Sequence, residues 1–191
     1  MAIRNILKYG EKGLVRKSRM VTDFNKRLHI LLDDMHETLL DADGLGLAAP
    51  QVGVLRRVAL IVDIDTTENE DSKENESSDD VADSVSIGEI TNEQVIELIN
   101  PEIIICNGEQ TGNEGCLSMP GVSGIVTRPE TVRIRAQDRN GNTFKLERSG
   151  LTARAICHEI DHLDGVMFTS IAERLLTSEE IAELAAEKER I

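Results

Sequence analysis

Leu28, Leu31, Leu32, Met35 and Leu39 recur every three or four residues, a spacing that predicts an amphipathic helix over about 23–41. Thr22 or Asp23 can cap its start and Asp43-Gly44 ends it. His29 and His36 fall on its flank, where surface histidines of no special role are the usual case. The period then changes. Val58-Ala59-Leu60-Ile61-Val62 is a continuous apolar run and predicts a buried strand within 57–64. Strand character returns over 94–99 and 102–106, the second ending on Cys106. Val132, Ile134 and Ala136 alternate with polar partners, Asn140-Gly141 turns the chain, and Phe144 and Leu146 return, which predicts a hairpin of 131–137 with 143–147. Two more helices follow, over about 151–163 with Gly165 as its stop, and over about 178–190 with Thr177 and Glu180 spaced as a capping box. Strands gathered between helices, without βαβ alternation, predict an α+β fold: mostly antiparallel strands packed around the penultimate helix, with N- and C-terminal helices.

Charge modifies this picture in one place. Of a formal net charge of −14, a single window supplies half: eight acidic residues between Asp65 and Asp80 against Lys73. Almost nothing apolar accompanies them, so 66–92 is expected to be a mobile acidic insert in a single domain spanning 1–191. An acidic body argues against nonspecific DNA binding by charge. No targeting pattern opens the chain and no run approaches the ~18 apolar residues of a membrane helix. Three cysteines without disulfide spacing suggest a reducing compartment, so a cytoplasmic protein is expected.

Candidate chemistry sits on the penultimate helix. His158-Glu159-Ile160-Asp161-His162 is an HExxH motif, whose histidines, four apart, share one helix face and can reach one metal ion. Glu159 can then serve as general base. Ile156, Ile160 and Leu163 make one apolar stripe, while Leu151 and Ala155 join the two histidines on another side, so the helix is expected to be buried. Two histidines buried without a metal would need other partners, since an unpaired buried polar group costs about 1–3 kcal/mol.

HExxH alone does not name the third ligand. In an extended HExxHxxGxxH pattern Gly165 fits, but Phe168 stands at the last histidine. Glu179, Glu180 and Glu183 lie at distances that would suit a zinc peptidase taking a glutamate from a later helix. Upstream, Glu114-Gly115-Cys116-Leu117-Ser118 follows an expected loop region at Asn107-Gly108 and Gly112-Asn113, and its glycine-flanked setting gives Cys116 freedom for close approach to a metal. Cys106 instead reads as a small core residue of its strand, and Cys157 points away from the histidine face.

Three motifs in order, Gly44-Leu45-Gly46-Leu47-Ala48-Ala49-Pro50-Gln51, Glu114-Gly115-Cys116-Leu117-Ser118 and His158-Glu159-Ile160-Asp161-His162, resemble those of the peptide deformylase family, with the likeness running from the first helix to about Phe168. The resemblance implies a metal-dependent hydrolase that removes the formyl group from N-terminal formyl-methionine and releases formate. Cys116, His158 and His162 would be the ligands of Fe2+, with Zn2+ as a substitute, and Glu159 the base and then the acid. The Gln51 amide and the Leu117 N–H would hold the oxyanion. Backbone around Leu45, Gly46 and Gly115 would pair with the peptide, and Leu151 and Ala155 would wall a methionine pocket. Glu114, Arg128 and Asp161 are expected to support the ligands, with a solvated surface charge as the alternative for Arg128. The implied partners are N-formyl-methionyl peptides and, transiently, translating ribosomes. Here the segment from Glu173 onward carries six Glu against Arg174, Lys188 and Arg190, which opposes docking to rRNA phosphate through a basic C-terminal helix.

Overall fold

The computed structural model describes residues 2–64 and 94–188. The fold is α+β, as the sequence predicts. Among the described residues three helices, α1 (Lys26–Asp41), α2 (Gly150–Asp164) and α3 (Ser178–Lys188), accompany eight strands. In chain order these are β1 (Gly46–Ala48), β2 (Val58–Val62), β3 (Val95–Asn107), β4 (Gln110–Gly115), β5 (Ser123–Arg128), β6 (Thr131–Gln137), β7 (Thr143–Ser149) and β8 (Arg174–Leu175). They form two antiparallel sheets, β1-β2-β3-β6-β7 and β4-β5-β8.

The continuous apolar run of β2 is explained by helices on both faces of the larger sheet. Val58, Leu60 and Val62 turn towards α1 and pack with Leu28, Leu32, Met35 and Leu39. Ala59 and Ile61 turn the other way and pack with Ile156, Ile160 and Leu163 of α2. Leu32 and Met35 are fully buried, so truncating either to alanine should cost about 2–5 kcal/mol. Gly165 ends α2 in the left-handed conformation, φ 78°. A Cβ there would also strike the backbone of Val15 at 2.8 Å, so the N-terminal segment passes against this helix end at glycine-only distance.

Several details differ from expectation. α1 begins at Lys26, because Asn25, not Thr22 or Asp23, accepts from the Arg27 and Leu28 amides at 2.9 and 3.3 Å. Its two histidines are half-buried and bonded rather than free on the surface. His29 Nε2 lies 2.8 Å from the Arg139 carbonyl, and His36 Nε2 3.2 Å from Glu97. The two segments predicted at 94–106 are one strand, β3, which shifts register across Asn100 and Pro101, and again between Ile103 and Ile105, rather than breaking. Asn100 takes a left-handed φ of 52° there and ties its side chain to both backbone groups of Val21. Cys106 lies in β3 but is exposed, not a core residue. The β6–β7 connection takes five residues, 138–142, and the Asp138 carboxylate caps it by accepting from the Asn140 and Asn142 amides. Gly112-Asn113, expected to be loop, lies within β4, which pairs with β5.

α3 starts at the predicted capping box, with Thr177 and Glu180 exchanging hydrogen bonds of 2.8 and 3.3 Å. The expected acidic insert at 66–92 and the last predicted residues of α3, 189–190, lie outside the described residues. Among the described residues no helix is long and apolar enough to cross a membrane.

Candidate active site

Three elements converge on one cavity of about 610 Å3: the segment from Gly44 through β1 to the 3-10 turn at Ala49–Val52, the connection leaving β4 at Cys116, and the middle of α2. The residues expected to meet substrate, Leu45, Gly46, Gly115, Leu151 and Ala155, all line it. So do Gln51, Cys116, Leu117, His158 and Glu159, while His162 is buried beside them.

Cys116 follows β4 directly, which sets its thiol opposite the histidine face of α2. Its Sγ lies 3.2 Å from His162 Nε2, and one donor atom from each of Cys116, His158 and His162 falls within 4.8 Å of the others. Among the described residues no other group of three such side chains comes together in this way. Glu180 is committed to the capping box and to Arg174, and Glu179 and Glu183 are exposed, so the zinc-peptidase arrangement is not formed. Phe168, at the position where an extended motif needs histidine, is buried and packs against the His158 ring.

One of the two histidines is oriented by a carboxylate. His158 Nδ1 lies 3.0 Å from Glu114 Oε2. A carboxylate can only accept, so Nδ1 carries the proton and Nε2 is the nitrogen left to face Cys116 and a metal. Burial opposes charge on His158, but its contacts with Cys116 and Glu114 outweigh burial and raise its pKa. Burial and then the neighbouring His158 lower that of His162, favouring a neutral imidazole. His162 Nδ1 is buried without a hydrogen-bond partner. A thiolate with two imidazoles suits Fe2+ or Zn2+, and three protein ligands leave room for water and substrate, as in catalytic rather than structural sites. The residues present therefore fit a catalytic metal.

Glu114 is the one buried side chain of β4, directed at α2. Burial raises its pKa, but hydrogen bonds with His158 and Arg128 prevail and hold it at about 2. Arg128, expected either to support the site or to be solvated, is 6% exposed and bridges Glu114 to Asp161. Cys157 is buried in the core on the far side of α2, as its angle predicts.

Glu159 is 4% exposed, and Oε2 has no hydrogen-bond partner. Burial raises its pKa from 4.5 to about 7 against the opposing pull of His158, the range in which one carboxyl can both take and return a proton. Gln51 is 1% exposed, and its Oε1 accepts from the Ala48 amide at 2.7 Å. That bond fixes the amide orientation and directs Nε2 at Cys116 Sγ (3.6 Å) and Ser118 Oγ (3.2 Å).

Sequence reasoning missed the N-terminal segment and Arg154. Leu7 N–H bonds the Gln51 carbonyl, Tyr9 N–H bonds the Ser118 carbonyl, and Lys8 Nζ bonds the Leu117 carbonyl at 2.9 Å, so residues 7–9 tie the Gln51 turn to the Cys116 loop. No local pattern announces such long-range contacts. Arg154 did leave a signal: a cation one turn before His158 on a helix otherwise read as buried.

Comparison with known proteins accounts for this assembly. The family model for polypeptide deformylase matches residues 3–177. A peptide deformylase of Caldicellulosiruptor bescii is 46% identical over 181 residues, covering 95% of this chain and 92% of its own. Peptide deformylase 1 of Bacillus subtilis is 42% identical over 184 residues, covering 96% and 99%. The crystal structure of a peptide deformylase from Legionella pneumophila, 34% identical, superposes with a TM-score of 0.72 over 99% of this chain and 95% of that one. With its three motifs gathered on one cavity, the chain belongs to the polypeptide deformylase family, hydrolases that remove the N-formyl group from nascent polypeptides.

Proposed function

We propose that deformylation here uses Cys116, His158 and His162 as ligands of Fe2+, with Zn2+ able to substitute, and Glu159, Gln51 and Leu117 as the groups that act on the formyl amide. The observation that carries the reading is the convergence of the three donor atoms within 4.8 Å beside a buried, unpartnered Glu159 carboxyl. A bound ion of this kind supplies the Lewis acidity that makes water a nucleophile near neutral pH.

The chain's own groups do the rest. Glu159 takes a proton from the attacking water as the new C–O bond forms at the formyl carbon. The Gln51 Nε2–H and the Leu117 N–H stabilise the oxyanion, a task for which one donor is worth about 2.7–4 kcal/mol. As the C–N bond breaks, Glu159 returns the proton to the departing amine, and formate and a free N-terminus result. Leu45, Gly46 and Gly115 offer backbone to an extended peptide, and Leu151 and Ala155 wall the methionine side chain. The formyl carbon bears only hydrogen, so crowding there selects formyl over larger acyl groups.

The substrates on this reading are N-formyl-methionyl peptides, met in the cytoplasm as chains leave the ribosome. Residues 1–191 act as one domain, with 66–92 as an acidic insert between β2 and β3. The acidic C-terminal segment disfavours docking through that helix.

The test is formate release from formyl-Met-Ala-Ser by anaerobically prepared, Fe2+-loaded protein. Turnover is expected, together with loss of both metal and activity in Cys116→Ala and loss of activity alone in Glu159→Gln. Full activity with retained metal in Cys116→Ala would overturn the ligand set, and full activity in Glu159→Gln the proton-transfer role.

A further inference from the structure

Arg154 stands one turn before His158 in α2, among neighbours that are Ala, Ile and Cys, and it is 6% exposed. A buried guanidinium is costly unless its donors are used. Its NH1 donates to Glu114 Oε1 and to the Val126 carbonyl, both at 3.0 Å, and its NH2 to the Gln110 carbonyl at 3.1 Å. Gly112 makes the room: a Cβ there would lie 3.2 Å from Arg154 NH2. The guanidinium is thus located by the backbones of β4 and β5.

Glu114 is the other half of the arrangement. Its Oε1 accepts from Arg128 Nε (2.8 Å) and Arg154 NH1 (3.0 Å), and its Oε2 from Arg128 NH2 (3.0 Å) and His158 Nδ1 (3.0 Å). Four donors occupy the four acceptor positions of one carboxylate, which leaves it no alternative orientation. The two arginines are not equivalent. Arg128 is held on its far side by Asp161, whose side chain is 27% exposed, whereas Arg154 is anchored to strand carbonyls.

We infer that Arg154 is a positioning residue for His158, transmitting the fixed geometry of β4 and β5 through Glu114 to the imidazole. The inference rests on the reading of Cys116, His158 and His162 as metal ligands. A purely structural arginine, joining α2 to the β4–β5 sheet, would affect folding stability and leave metal affinity alone. A positioning arginine changes metal affinity, and does so only while Glu114 can relay the effect.

Co2+ titration, followed by the thiolate-to-cobalt charge-transfer band, separates these cases. Arg154→Met should weaken Co2+ binding about 10–100-fold, the usual effect of removing a group that orients a ligand. Arg154→Lys, which keeps a donor near Glu114, should recover part of the loss. In a Glu114→Gln background the Arg154 substitutions should add little. Unchanged affinity in a folded Arg154→Met protein overturns the inference, and so does an equal loss in both backgrounds. If Arg154→Met does not fold, Arg154→Lys in the two backgrounds decides by the same criteria. The ligand reading is checked separately: a charge-transfer band that survives Cys116→Ala overturns that reading and the inference with it, a pattern unlike an intact Cys116-dependent band that ignores Arg154.

Discussion

Gly46 and Glu159 leave no space between them for a methyl group. A Cβ on Gly46 would come 2.5 Å from Glu159 Oε1 and 2.8 Å from its Cγ. The glycine is required for close approach of β1 to α2, and the main chain at Gly46 becomes one wall of the pocket around the buried carboxyl. Gly46→Ala should therefore displace Glu159. A shift of ~1 Å in a reacting group can cost on the order of 10²-fold in rate. The expected outcome is a comparable fall in kcat for formyl-Met-Ala-Ser, with metal content by elemental analysis unchanged, because the nearest atoms such a Cβ would meet all belong to Glu159 and none to Cys116, His158 or His162.

Gln51 should behave as an oxyanion donor whose direction is preset by Ala48. Because Oε1 is already held by the Ala48 amide, Gln51→Glu would place an acceptor where the donor was, and the second carboxylate oxygen would face Cys116. Gln51→Ala should lower kcat about 10²–10³-fold, the range for loss of one such donor. Gln51→Glu should be at least as damaging. The comparison of kcat with KM is the measurement, and a change confined to KM would assign Gln51 to substrate binding instead.

What could be read in advance follows a physical division. α1, α2 and β2 were legible because each has one packing demand repeated along its length: Leu28 to Leu39 every turn, or Val58 to Val62 with a helix on both faces. β4 was not. Its Gln110, Thr111, Gly112 and Asn113 carry no apolar alternation, since the strand covers the site with Glu114 as its single buried side chain. β3 looked like two strands because Asn100 and Pro101 interrupt the pattern while the ladder resumes beyond a register shift. The three site motifs were legible because each is a contiguous stretch. The ties from Leu7, Lys8 and Tyr9 and the four-donor cage around Glu114 join residues 35 or more positions apart in most of their links, and only the folded chain brings them together.

A second, half-buried charge network lies away from the site and should be visible in acid stability. Glu97 accepts from Arg139 and pairs with His36, and Arg139 also reaches Asp33, so α1, β3 and the β6–β7 turn are joined. Burial raises the pKa of Glu97, but bonds from His36 and Arg139 prevail and lower it to about 2 from 4.5. A depressed carboxyl pKa gives stability that is fully present above the unfolded value and is lost as pH falls through the folded one. Glu97→Gln should therefore be less stable than the parent at pH 7, by about 1–2 kcal/mol once partial exposure of Arg139 is allowed for. The gap should close between about pH 4.5 and 2, as followed by urea unfolding across that range.

Metal removal should reveal how far the centre also holds the fold together. Cys116 leads from β4, and His158 and His162 lie on α2, so an ion bound by all three joins the smaller sheet to the central helix. A ligand that binds only the folded chain stabilises it by about 4 kcal/mol when its free concentration is a thousandfold above Kd. Chelation should therefore lower Tm as well as abolish turnover. Added Fe2+ under anaerobic conditions, or Zn2+, should restore Tm. In Cys116→Ala the chelator should have far less effect on Tm, since one of the three donors is already gone. Differential scanning calorimetry with and without chelator on both proteins gives the comparison. An equal chelator shift in the two would mean that the stabilising ion sits elsewhere, and an unshifted parent would mean that the centre contributes to catalysis and little to folding stability.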